Sequence, residues 1–133
     1  MSTPLPLRTA CPAGVCDCGR EQLQDDAPAA QRILLLTRQE EQRLLQRLEN
    51  LRDLDDLRHL QQRLLDNLGI RLHVVPGANE VRTMRGIAIE LDAQPGLCRK
   101  TRRAIPAAVR RGLERNPQVA YRLLDAYDLL GGA

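Results

Sequence analysis

Cys11, Cys16 and Cys18 form a C-x4-C-x-C pattern within Cys11-Pro12-Ala13-Gly14-Val15-Cys16-Asp17-Cys18-Gly19, and Cys98 is the fourth thiol of the chain. Thiolates this close together on a Gly- and Pro-containing loop can converge on one metal ion without regular structure. A ligand from a distant element, Cys98 or else His73, would then close a tetrahedral site. Zinc suits such a donor set first. An iron–sulfur cluster is the second candidate, although the spacing is one residue short of the plant-type C-x4-C-x2-C. The plainer account is three unliganded thiols on a tail and a small core residue at Cys98, with a redox pair as a third reading.

The second constellation is cationic. Arg71, Arg82 and Arg85 fall on an expected β-hairpin, and Arg99, Lys100, Arg102 and Arg103 follow soon after it. Arg110, Arg111 and Arg115 come next, on an expected helix. Between Ile70 and Arg115 ten basic residues face four acidic ones, a net of +6, whereas Gly19–Gly69 carries 8 Arg against 10 Asp and Glu, a net of −2. Guanidinium forks match phosphate oxygens, and several on adjoining elements can hold a nucleic-acid backbone through counterion release. The competing readings are solvated faces or a complementary acidic protein surface, such as the Asp53-Leu54-Asp55-Asp56 corner of a second copy.

Composition narrows these readings. The chain of 133 residues has no Phe and no Trp, and its aromatics are Tyr121 and Tyr127. A single-strand binding platform built on base stacking is therefore disfavoured. A helix-turn-helix in Pro106–Leu130 is rejected, because Asn116-Pro117 is too abrupt and the second helix offers Arg122 as its only base, beside Asp125 and Asp128. Phosphate contacts would thus dominate any nucleic-acid binding, with little sequence preference.

Catalysis has little support. The chain holds no G-x-S-x-G, no G-x4-G-K and no H-E-x-x-H, and its two histidines, His59 and His73, stand apart. Cys98 as a nucleophile would need a base such as His73. The function expected is that of a non-enzymatic binding module, with a cysteine-centred metal or thiol redox protein as the alternative.

The elements that must position these residues begin with leucines. Leu44, Leu45, Leu48, Leu51, Leu54, Leu57, Leu60, Leu64, Leu65 and Leu68 lie mostly three or four apart, the spacing of one helical face. From Leu48 to Leu60 the spacing is strictly three, and each step falls about 60° short of a full turn. Four steps rotate the stripe by about 240°, more than a straight helix can hold against one partner. Two helices, roughly 38–50 and 54–68, are therefore expected, with one bent helix as the alternative. Thr37 with Glu40 marks a capping box, Asp53 with Asp56 a second N-cap, and Gly69 a stop.

Past Gly69 the period changes to two. Ile70, Leu72 and Val74 alternate with Arg71, His73 and Val75 before the turn Pro76-Gly77-Ala78-Asn79, and 81–91 is the returning strand. Arg85-Gly86 marks a bulge, or else Arg85 points inward. Arg32–Leu36 is an apolar run favouring a buried strand, with a helical turn as its rival. Leu97–Arg103 begins a helix, Pro106 suits the first turn of one ending near Arg115, and a last helix runs to Leu130.

The expected fold class is α+β. A helical hairpin (about 38–68) packs on a small antiparallel sheet (70–75, 81–91, with 32–36 as a candidate third strand), beside two or three C-terminal helices. Residues 1–19 are expected as a flexible tail with the Cys-rich loop, and 20–133 as one domain. No apolar leader and no stretch of about 18 apolar residues stands in the sequence, so the expectation is a cytoplasmic protein with reduced thiols and no membrane partner.

Overall fold

The computed structural model describes residues 28–77 and 86–129. A 3₁₀ helix, Pro28–Leu35, is followed by α1 (Arg38–Leu48), α2 (Leu54–Leu68), β1 (Leu72–Pro76), β2 (Ile87–Leu91), α3 (Arg99–Arg115) and α4 (Pro117–Leu129). The fold class is α+β, with helices packed on a two-stranded antiparallel sheet.

Two helices stand where the drifting leucine stripe required a break. Thr37 caps α1 by accepting the Glu40 N–H at 3.3 Å. The capping box is only half made, because the Glu40 carboxylate pairs with Arg43 at 3.1 Å and the Thr37 N–H donates to the Leu35 carbonyl at 2.9 Å. Asp53 caps α2 through the Asp56 N–H at 2.7 Å. The Asp56 carboxylate also takes the Arg52 N–H at 3.0 Å and pairs with Arg47, tying the end of α1 to the start of α2. Gly69 ends α2 in the left-handed conformation at φ 72°, where a Cβ is costly. Leu51, in the link between the helices, is itself buried, so the leucine spacing runs on through a non-helical turn.

Arg32–Leu36 is not a strand. Residues Pro28–Leu35 are 3₁₀-helical, and Ile33 and Leu36, three apart, are the buried pair. A strand would have buried alternate residues, and a short apolar run alone does not distinguish the two. Extended backbone at Thr37 suffices for the cap. Arg32 then reaches across to the carbonyl of Asp66 at 2.8 Å, putting a cation at the negative end of α2.

β1 and β2 pair in the register Leu72↔Leu91, Val74↔Ile89 and Pro76↔Ile87. Leu72, Val74 and Ile87 are buried, as the alternation required. β1 begins at Leu72, two residues later than the 70–75 expected, and the described part of the 81–91 strand is Ile87–Leu91. Val81–Arg85, and with them the bulge question at Arg85, lie outside the described residues.

α3 is one helix from Arg99 to Arg115, and Pro106 sits inside it instead of in a first turn. A proline there removes a hydrogen bond to the Arg102 carbonyl and costs about 3 kcal/mol. Ile105, Ala108, Val109 and Leu113 share one face across the proline and are fully buried. Each large aliphatic side chain buried contributes about 1.5–3 kcal/mol, which outweighs the break. Two C-terminal helices follow the sheet, α3 and α4, and Val119 and Leu123 of α4 are buried.

One aliphatic core joins Ile33, Leu57, Ile70, Val74, Ile105 and Leu123. α1 packs chiefly on α3, whereas α2 packs on α4, β1 and the 3₁₀ helix. The two successive helices therefore take different partners as they leave their shared turn. That turn is held from α3: Asn116 Nδ2 donates to the carbonyls of Leu51 and Arg52 at 3.1 and 3.0 Å, and Arg111 pairs with Glu49 at 2.7 Å.

Candidate anion-binding site

α3 starts where its sequence is most basic. Arg99, Lys100, Arg102 and Arg103 occupy four of its first five positions, with no acidic residue in the first turn. Cys98 is the N-cap residue, half-buried, and makes no side-chain capping hydrogen bond. Arg99, Lys100 and Arg103 are exposed and Arg102 is half-buried. The first N–H groups of a helix carry partial positive charge, so an anion there is stabilised and a cation is destabilised by about 0.3–1 kcal/mol. Four cations in this turn oppose both the helix dipole and one another.

The sheet brings Arg71 to the same end of the molecule. β2 leaves the hairpin at Leu91, and the Asp92 N–H donates to the Arg71 carbonyl at 3.2 Å. α3 packs back along β2, with Arg110 Nη2 donating to the Ile87 carbonyl at the start of that strand at 2.7 Å. Its first turn therefore lies towards the end of β2 where Arg71 emerges, exposed. His73 Nε2 and Asp92 Oδ1 meet at 2.9 Å at this end, both about half exposed. That pairing went unseen in the sequence, since the two residues are 19 apart and only the strand register joins them.

Part of the sequence-expected basic surface has another use. Arg110 is spent on Ile87, Arg111 on Glu49, and Arg115 stands 3.8 Å from the same carboxylate. These three stabilise the α3 contacts with β2 and the α1–α2 turn. Arg82 and Arg85 lie outside the described residues, as do Cys11, Cys16 and Cys18. Among the described residues no group of three His, Cys, Asp or Glu is placed to hold a metal ion. His59 is exposed on α2. Among the described residues no helix is long and apolar enough to cross a membrane.

No family model, no curated protein and no solved structure matches this chain.

Proposed function

We propose that this protein is a non-enzymatic binding module whose basic face engages phosphate-bearing partners, nucleic acid most simply. Its described members are Arg71, Arg99, Lys100, Arg102 and Arg103; Arg82 and Arg85, expected with them from the sequence, lie outside the described residues. The observation that supports it is the placement of four cations on the first five positions of α3, with no acidic residue in the first turn. Cations in a helix's first turn oppose its dipole, whereas a phosphate in the same place is favoured by the helix N-terminus and by the basic side chains beside it. Guanidinium groups read phosphate geometry without reading bases, so duplex sequence has little effect on affinity.

The test is fluorescence anisotropy of the full chain with a labelled DNA duplex and a structured RNA over a range of salt. Binding that weakens linearly on a log–log salt plot, with a slope near −0.9 per phosphate contact for the duplex, is expected. Changing Arg99, Arg102 and Arg103 together to Ala abolishes it. Unchanged affinity in that triple variant would refute the site, with circular dichroism checking that α3 survives.

A further inference from the structure

A cleft of about 420 Å³ is lined by the end of the 3₁₀ helix, α1 and α2. Its walls are Leu35 and Leu36 from the end of the 3₁₀ helix, Leu44 from α1, and Leu60, Leu64 and Leu68 from α2. Leu36, Leu60 and Leu64 belong to the buried core, while Leu35, Leu44 and Leu68 are half-buried and line the open side.

From this cleft we infer a second binding site, for a single alkyl chain that ends in an anionic head. The volume falls in the range of small-molecule sites, about 300–1,000 Å³. Six of the lining residues are leucines, Asn67 is the one neutral polar side chain among them, and the other polar groups are the charged ones of the rim. Polar groups spread along an occupant would meet few partners on the leucine walls, which favours an aliphatic chain over a sugar or a nucleotide. The rim selects the head. Arg43, Arg47 and Arg63 surround the opening against one carboxylate, Glu40. Arg43 already pairs with Glu40, and Arg47 is engaged by Asp56 and by the Asn50 carbonyl at 3.1 Å. Arg63 is exposed and makes no hydrogen bond or ion pair among the described residues, so it is the cation the head group meets. The cleft lies on α1 and α2, and its ligand does not depend on the basic end of α3.

Isothermal titration of the full chain with sodium decanoate, below its micelle concentration, tests the site. Saturable binding is expected, about fifteen-fold tighter for decanoate than for octanoate, because each buried methylene adds a factor of about four. The same chain on a cationic head, decyltrimethylammonium, binds more weakly, and decanoate raises the melting temperature. Arg63→Glu, an exposed change that leaves the core intact, weakens decanoate about five-fold or more. Co-sedimentation with phosphatidylglycerol vesicles that Arg63→Glu abolishes assigns the chain to a lipid; its absence, with decanoate bound, assigns a free carboxylate. Three results overturn the site: no response to decanoate, equal affinity for the cationic amphiphile, or full binding by Arg63→Glu. Capture of an acidic leucine-rich helical peptide without any response to decanoate also overturns it, in favour of a protein partner.

Discussion

The α-carbon of Gly112 faces the carbonyl oxygen of Leu48 so closely that a methyl group there would overlap it, and the same methyl would stand 3.1 Å from the side chain of Leu51. This contact lets α3 press against the end of α1, and it decides the sign of a simple experiment. In an exposed helix interior, Gly→Ala stabilises by about 1 kcal/mol. Here the obstructing atom is backbone, held in place by the Asn116 and Glu49 contacts around it, and overpacking costs about 1–3 kcal/mol or more. Gly112→Ala is therefore expected to destabilise the protein by about 2 kcal/mol in urea unfolding. A stabilised variant would mean that α1 and α3 do not approach in this way.

Asp56 links the same turn to acid stability. Burial by itself raises its pKa, but the hydrogen bond from Arg47, the Arg52 N–H and the charges of both guanidinium groups outweigh that and hold it below the ordinary value of 3.8. A carboxyl depressed in the folded state contributes stability above its unfolded pKa, and that contribution fades as pH falls through the folded one. The protein should thus keep this contribution down to about pH 4 and lose it below. Asp56→Asn, which cannot carry the charge, should show a shallower loss of stability between about pH 4 and 2. Parallel acid-limb slopes for the two proteins would contradict the assignment.

Pro106 offers a gain. It withholds a hydrogen bond from the Arg102 carbonyl inside α3 and is only half-buried. Pro106→Ala restores the bond and removes the ring's clash, a helix term of about 3 kcal/mol, against a loss of about 1 kcal/mol from the more flexible unfolded chain. A net stabilisation of about 2 kcal/mol is expected, read as a higher melting temperature. No change, or a loss, would show that the proline ring's own packing outweighs the bond.

These positions also mark what could be read from residues alone. The three-residue leucine spacing contained the break between α1 and α2, because its angular drift is a local property of the helix. Gly69, Asp53 and the Leu72–Val74 alternation are likewise short-range signals, and each stands where expected. Arg32–Leu36 could not be resolved between a strand and a helical turn, because the four apolar residues Ile33–Leu36 have no period of their own, and the chain there is 3₁₀-helical through Leu35. The continuity of α3 through Pro106 depends on the face it buries against distant elements, and no local rule contains that. The uses of Arg110, Arg111 and Arg115 were hidden for the same reason: Glu49 lies 62 residues from Arg111, and a basic helical face looks the same whether it meets a carboxylate or solvent. The basic first turn of α3 was legible as a charge cluster, but its position at a helix N-terminus, which gives the cluster its electrostatic meaning, needed the helix boundary.

The core and the thiols are separable, and that yields the last prediction. Every member of the core cluster is aliphatic, and Cys98 is half-buried outside it. Among the described residues, twenty buried apolar side chains, from Ile33 to Leu124, stabilise the body without any metal ligand among them. A metal held by Cys11, Cys16 and Cys18 would then be a local staple, whereas in small metal-dependent domains the binding energy is the folding energy. Chelation with a strong zinc ligand, under reducing conditions, should leave the helical circular dichroism and the urea midpoint within about 0.5 kcal/mol of the untreated protein. Metal analysis of protein purified without an affinity tag completes the experiment. About one equivalent of zinc or iron lost on chelation, with the midpoint unmoved, would put the metal on the cysteine loop alone. Cooperative unfolding on chelation would instead show that the leucine core is insufficient, and would make the cysteines part of the fold itself.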